Sequence, residues 1–144
     1  MELCFAEQTD KTALLAAYEV YKPCMYRPTM EKYEKKIDAY LQEEAVGIFT
    51  CTQGSMVVGL IVGRFDGASG MEILGIAVNT AVRKRGIGAY MIDRLMDAYA
   101  LCNVTAETDD DAVGFYRKCG FCITEYAEDY DGKLVTRYRC KRII

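Results

Sequence analysis

The chain contains no histidine. That absence removes serine–histidine and cysteine–histidine nucleophile pairs, and with them any histidine-based metal site. A general base must then be a carboxylate or, failing that, a lysine, tyrosine or thiolate. No metal is expected. Long apolar runs are missing too: the longest, Met56 to Gly63, is far short of the roughly 20 residues a spanning helix needs. No membrane partner is therefore expected. The opening Met1-Glu2-Leu3-Cys4 lacks a basic region followed by an apolar one, so no secretory signal is visible. Repeats, low-complexity tracts and linkers are absent, which leaves one domain over residues 1–144. There is no basic excess either. A net charge of −3 argues mildly against nucleic acid as partner, since an acidic surface repels phosphate backbones.

What is present is an ordinary globular composition, 51% apolar and 27% charged, in a chain long enough to bury roughly 70% of its extended surface. Seven cysteines, odd in number and irregular in spacing, read as reduced thiols buried mostly as small hydrophobes. The expectation is a cytoplasmic protein. Cys119-x-x-Cys122 has no second pair at zinc spacing and spans a helix end and a strand start, so it reads as fortuitous.

Periodicity and turn residues predict a first strand over residues 3–8 and a helix capped by Asp10 that Pro23 ends. A second helix runs from Pro28-Thr29 to about Glu43. Strands follow at Val46–Cys51, Met56–Phe65 and Met71–Val78, separated by Gln53-Gly54-Ser55 and Asp66-Gly67-Ala68-Ser69-Gly70. A helix over Arg85–Ala100 carries Ile87, Tyr90, Met91, Leu95 and Ala98 at helical spacing. Val104–Glu107 reads as a short strand. Asp109-Asp110-Asp111 reads as the acidic first turn of a helix that Gly120 ends. Phe121–Tyr126 and Lys133–Cys140 close the chain around Asp131-Gly132. This order predicts a layered α/β (α+β) arrangement rather than a regular doubly wound sheet.

The most informative stretch is Glu72-Ile73-Leu74-Gly75-Ile76-Ala77-Val78, followed closely by Arg83-Lys84-Arg85-Gly86-Ile87-Gly88. An apolar strand runs into a polar turn, and the turn opens a helix with glycines at its mouth. Bare backbone N–H groups and a helix dipole make such a place suited to phosphates. It lacks the Gly-Lys-Ser/Thr ending of a Walker loop and the third glycine of a dinucleotide fingerprint. A solvated basic turn is the competing reading.

The segment Val78-Asn79-Thr80-Ala81-Val82-Arg83-Lys84-Arg85-Gly86-Ile87-Gly88-Ala89 resembles the acetyl-CoA motif of the GNAT superfamily of N-acetyltransferases. That motif reads Val-x-Pro-x-x-Arg/Gln-x-x-Gly-x-Gly/Ala. Ala112-Val113-Gly114-Phe115-Tyr116-Arg117-Lys118-Cys119-Gly120-Phe121 is similar to a second family signature, Ala-x-x-Phe-Tyr-x-x-x-Gly-Phe. Thr80 and Lys84 depart from the usual proline and glycine. Asp109 stands where an asparagine commonly contacts the pantetheine arm, and a carboxylate cannot donate the amide's hydrogen bond.

The resemblance implies a mixed, mostly antiparallel sheet of about seven strands flanked by about four helices, splayed at the acetyl-CoA strand. It implies that backbone groups along Ile76-Ala77-Val78 pair with the pantetheine arm as an added strand would. Backbone N–H groups from Arg83 through Lys84, Arg85, Gly86, Ile87 and Gly88 to Ala89 would hold the pyrophosphate. Glu72 matches the base of the histone-acetylating branch, and Tyr116 the proton donor to the departing thiolate. An amine acceptor, with a lysine-like pKa of about 10.4, must lose a proton before it attacks a thioester. Against these roles stand a solvent-facing Glu72 and a Tyr116 packed in the core beside Phe115.

The expected activity is N-acetylation, from acetyl-CoA, of a primary amine on a small molecule or peptide. The region from Tyr21 to Arg27 would wall the acceptor pocket. A non-catalytic acyl-CoA-binding sensor and a plain nucleotide-binding domain are the rival readings. Homodimerisation is common in this fold and compatible with the chain.

Overall fold

A computed structural model describes residues 2–83 and 85–144. Seven strands form one sheet in the order β1-β2-β3-β4-β5-β7-β6. The strands are β1 (Cys4–Glu7), β2 (Val46–Gln53), β3 (Met56–Phe65), β4 (Gly70–Val78), β5 (Asn103–Thr108), β6 (Cys122–Tyr130) and β7 (Lys133–Ile143). The helices are α1 (Lys11–Leu15), α2 (Tyr18–Tyr21), α3 (Met30–Gln42), α4 (Ile87–Ala98) and α5 (Val113–Lys118). All pairings are antiparallel except β4 with β5. The expected layered α/β architecture is therefore the observed one.

Burial explains which strands are central. In β3 the residues Val58 to Gly63 are buried without alternation, as a strand covered on both faces must be. One face packs on α4, where Val58, Ile61, Met91, Ile92 and Leu95 are sealed from solvent. The other packs on α1–α3, through Leu14, Tyr33, Ile37, Leu60 and Val62. Thr29 caps α3 by accepting from Lys32 N at 3.1 Å. Gly120, at φ 87°, ends α5 in the left-handed conformation that glycine adopts without strain.

Three expectations need correction. The single first helix is two, because Ala17 N bonds back to Leu14 O and Val20 N to Ala17 O. These three-residue steps tighten the backbone at a fully buried alanine, so among the described residues five α-helices flank the sheet, in keeping with the expected number of about four. The three acids do not form the first turn of α5. They precede it, and Asp109 Oδ1 accepts from Asp111 N at 3.0 Å and Ala112 N at 3.3 Å. Finally, the last hairpin is longer than expected, running to Tyr130 and from Lys133 to Ile143. Its outer residues do not alternate, since Leu134 and Val135 are adjacent and Leu134 is exposed, which hides the period-2 pattern from a reading based on apolar alternation. Among the described residues, no helix is long and apolar enough to cross a membrane.

Candidate functional site

The site originates in a defect of β4. Val62 pairs with Gly75, and Gly63 pairs with Ile73, so Leu74 is an extra residue bulged out of the β3 ladder. A bulge bends its strand and increases the local twist. On the other side, β4 pairs with β5 only from Gly70–Asn103 to Ile73–Ala106. Beyond that point β5 continues along β7 as far as Thr108, while β4 turns away. The opening is a groove of about 1,090 Å³ lined by Ile73–Val78 on one side and Glu107–Asp109 on the other.

Two contacts show how the free stretch of β4 presents its backbone. The carbonyl of Ile76 accepts a hydrogen bond from Cys24 Sγ at 3.1 Å, and that of Val78 accepts one from Arg83 Nε at 3.3 Å. Both carbonyls therefore point away from β3. In an antiparallel ladder a residue's N–H lies on the same side as its C=O, so the Ile76 and Val78 N–H groups also face the groove. Ala77 lies between them, with its side chain in the α1–α3 core.

At one end the groove meets the N-terminus of α4. Gly86 is the cap residue, at φ 75°, and its carbonyl accepts from Tyr90 N at 2.9 Å. Among the described residues no side chain caps this helix. Its first-turn N–H groups, on Ile87, Gly88 and Ala89, are thus open to a ligand, and the helix dipole favours an anion there. Arg83 and Arg85 are exposed beside it. Lys84, which completes the basic turn, lies outside the described residues. Gly88 is buried against α5: a Cβ there would meet the Phe115 ring at 2.6 Å. The glycine lets two helices approach closely behind the groove.

Tyr116 lines the groove from α5 and is 5% exposed. Phe115 and Phe121 meet its ring edge-on, with centroids 5.1 and 5.3 Å away. Burial, reinforced by Cys140, Cys24 and Cys119, holds its phenol well above the ordinary value. It is a proton-bearing group across the neutral range. Opposite it, Tyr21, Pro23 and Cys24 close the groove from the α1–α3 face. A Cβ on Gly75 would overlap the Tyr21 hydroxyl, so the bare backbone at Gly75 makes room for that phenol. Burial, followed by the neighbouring Tyr40, raises its pKa as well.

Glu72 is not among the groove-lining residues. It pairs with Thr105 in the closed part of the sheet, next to Ile73, where the groove begins. Its side chain is 46% exposed, with an oxygen 3.5 Å from Arg64 Nη1. Arg64 also holds Glu43 at 3.0–3.2 Å, and the three residues form a surface network. Strand alternation puts Glu72 on the α1–α3 face, since Met71 and Ile73 belong to the opposite core.

The structure thus brings together Ile76, Ala77, Val78, Arg83, Gly86, Ile87, Gly88, Ala89, Asp109 and Tyr116, all of which line the groove. Arg85 precedes the lining residue Gly86 but does not itself line the groove, and Glu72 stands beside its start. Tyr21 and Cys24, in the region expected to wall a pocket, do line it, whereas Tyr26 is 82% exposed. Glu107 was not expected. It lines the groove opposite the free part of β4, and no spacing in the sequence singles it out.

The family model of the acetyltransferase (GNAT) family matches residues 14–121, and it encloses the splay, the helix mouth and Tyr116. The chain belongs to the GNAT acetyltransferase family. Solved structures share the fold at low identity. The ribosomal-protein-S18-alanine N-acetyltransferase of Escherichia coli is 19% identical with a TM-score of 0.74, covering 99% of this chain and 94% of that one. A mutant form of the SpeG spermidine N-acetyltransferase of Vibrio cholerae is 14% identical with a TM-score of 0.74, covering 98% and 93%. The yncA protein of Salmonella typhimurium, solved with its cofactor acetyl-CoA, is 14% identical with a TM-score of 0.72, covering 99% and 94%. No curated protein sequence matches the chain.

Proposed function

We propose that this GNAT protein is an acetyl-CoA-dependent N-acetyltransferase acting by direct attack of a primary amine, on a small molecule or peptide, with Tyr116 as general acid and Glu72 as general base. The observation that carries this reading is the continuity of the groove. It leads from an uncapped helix N-terminus, along the outward-facing backbone of Ile76 and Val78, to the buried phenol of Tyr116.

The residues fit an acetyl-CoA molecule. The first turn of α4, with Arg83 and Arg85 nearby, suits a pyrophosphate. The Ile76 and Val78 backbone suits an amide-bearing arm, added as a strand edge would be, once Cys24 yields the Ile76 carbonyl. Asp109 has one oxygen committed to the α5 backbone and offers acceptors only. Bound there, acetyl-CoA supplies an acyl carbon activated as a thioester. The Ile76 N–H can polarise the thioester carbonyl, and Tyr116 holds a proton at its hydroxyl for the departing thiolate. Glu72, on the α1–α3 face beside the start of the groove, removes the ammonium proton through water. One observation favours a second base: Glu107 lines the groove and Glu72 does not. The relatives named for spermidine and for a ribosomal protein's alanine both act on amines, which supports an amine acceptor. A cytoplasmic setting, where thiols stay reduced, belongs to the same reading, as does a chain free to form homodimers.

A mass-spectrometric transfer assay with acetyl-CoA tests this reading against pooled polyamines, aminoglycosides, amino acids and short peptides. Acetylation of one class supports it. Absence of transfer to every pool, with acetyl-CoA binding demonstrated, favours a non-catalytic acyl-CoA sensor. Stabilisation by ATP but not by CoA favours a nucleotide-binding domain.

Gly88→Val gives a further expected result. The new side chain collides with the Phe115 ring, and overpacking of this kind costs about 1–3 kcal/mol. The denaturant midpoint should fall, and thermal stabilisation by acetyl-CoA should shrink because Phe115 lines the groove. Unchanged stabilisation by acetyl-CoA would separate the α4–α5 contact from the cofactor site.

A further inference from the structure

Helices α1–α3 pack on β2, β3 and β4, which leaves the same sheet face open over β5, β7 and β6. Strand alternation assigns residues to that open face. Tyr138 and Cys140 on β7 pack with the α4–α5 core, so Arg137 and Arg139 project the other way. Arg139 is satisfied there: its Nε lies 3.4 Å from Glu107 Oε1, and its guanidinium sits 4.5 Å over the Tyr126 ring. Arg137 differs. Its Nε is buried and has no hydrogen-bond partner among the described residues. The carboxylate of Glu128 forms an ion pair with it at 3.9 Å, which is beyond hydrogen-bond reach, and a quarter of the Arg137 side chain stays exposed.

Arg137 is not itself a lining residue of the groove, but the strand register brings it next to one. Thr108 on β5 pairs with Tyr138, so Asp109, the next residue and a groove wall, comes level with Arg137. This is the rim on the face that Tyr21, Pro23 and Cys24 close, away from the α4 end. A buried guanidinium donor left unmade is costly, and the planar fork of arginine matches a carboxylate. Glu107, on β5 and lining the groove, suits the ammonium group of the same molecule. A polyamine would bring a like charge to Arg137.

We propose that Arg137 binds a carboxylate carried by the acceptor, so that the acceptor is an amino acid or a similar small amine bearing a carboxylate. The inference rests on the N-acetyltransferase reading, which assigns the α4 end of the groove to the cofactor and the opposite face to the acceptor.

The test compares each amino acid with its amide and its decarboxylated amine, in transfer assays with wild-type protein, Arg137→Gln and Arg137→Lys. Phosphoethanolamine and ethanolamine form a second pair. Wild-type protein should prefer the carboxylate-bearing member. Arg137→Gln should raise KM for that member about 10- to 100-fold and leave KM for acetyl-CoA unchanged, with Arg137→Lys between. Equal use of acid and amide overturns the inference, as does a preference that survives Arg137→Gln, or transfer to phosphoethanolamine but to no amino acid. Ligand-observed NMR with N-acetyl amino acids supplies a readout that does not depend on turnover. Binding lost in Arg137→Gln supports the carboxylate site even where transfer fails, and then only the enzyme reading falls. Transfer to neutral amines without any carboxylate binding overturns the site and keeps the enzyme.

Discussion

Tyr116→Phe is expected to lower kcat by about 10²–10⁴-fold, the usual weight of a positioned acid, while acetyl-CoA affinity and stability change little. The substitution removes one hydroxyl and keeps the ring that packs edge-on against Phe115 and Phe121. Steady-state kinetics with a binding measurement reads both parts. Burial raises the folded-state pKa of Tyr116 above its ordinary value of about 10. The phenol therefore stays protonated through neutral and mildly alkaline pH, and kcat should show no alkaline fall-off from this group below about pH 10. The same shift has a sign for stability. The unfolded phenol ionises first, so the stabilisation linked to Tyr116, and to Tyr21, is fully present below about pH 10 and is lost above it. A Tyr116→Phe enzyme with unchanged kcat would remove the acid assignment.

The second large effect separates two carboxylates. Glu72→Gln is expected to slow turnover about 10²–10⁴-fold with acetyl-CoA binding intact, and raised pH should restore part of the rate as the acceptor amine deprotonates unaided. Glu107→Gln, in the same assay, should change KM for the acceptor more than kcat, since Glu107 is held by Arg139. The opposite pattern would move the base from the closed part of the sheet to the groove wall. Glu72 is exposed and its ion pair with Arg64 lies at the surface, so little stability rides on the substitution. A kinetic effect can then be read as chemistry.

Why one glutamate raises this question and the neighbouring cradle does not is a matter of register. The span of β3 was readable to the residue, because Gly54 and Asp66-Gly67 punctuate a run that is apolar except for Arg64. The helix mouth was readable from Gly86 and Gly88, whose positive φ and close approach to Phe115 require glycine. The exact point at which β4 leaves β5 was not readable. It depends on the bulge at Leu74 and on where β5 pairs, both properties of partner strands. That point puts Ile76 inside the groove and leaves Glu72, four residues earlier in the numbering, at its threshold. Long-range contacts escaped for the same reason. Cys24 meets Ile76 across 52 residues, and nothing in Lys22-Pro23-Cys24 announces it. Arg137 sits in a hairpin whose outer residues do not alternate, so the pattern carries no signal until the α4–α5 core marks which side is inward.

On the proposed function, the splayed edge of β4 seats acetyl-CoA. Residue-resolved amide hydrogen exchange at Ile76 and Val78 tests it most directly, with and without saturating acetyl-CoA and with ATP as control. Slowed exchange is expected at both amides with acetyl-CoA and with CoA, and no slowing with ATP. Unchanged exchange at Ile76 and Val78, under conditions where acetyl-CoA is shown to bind, would contradict it.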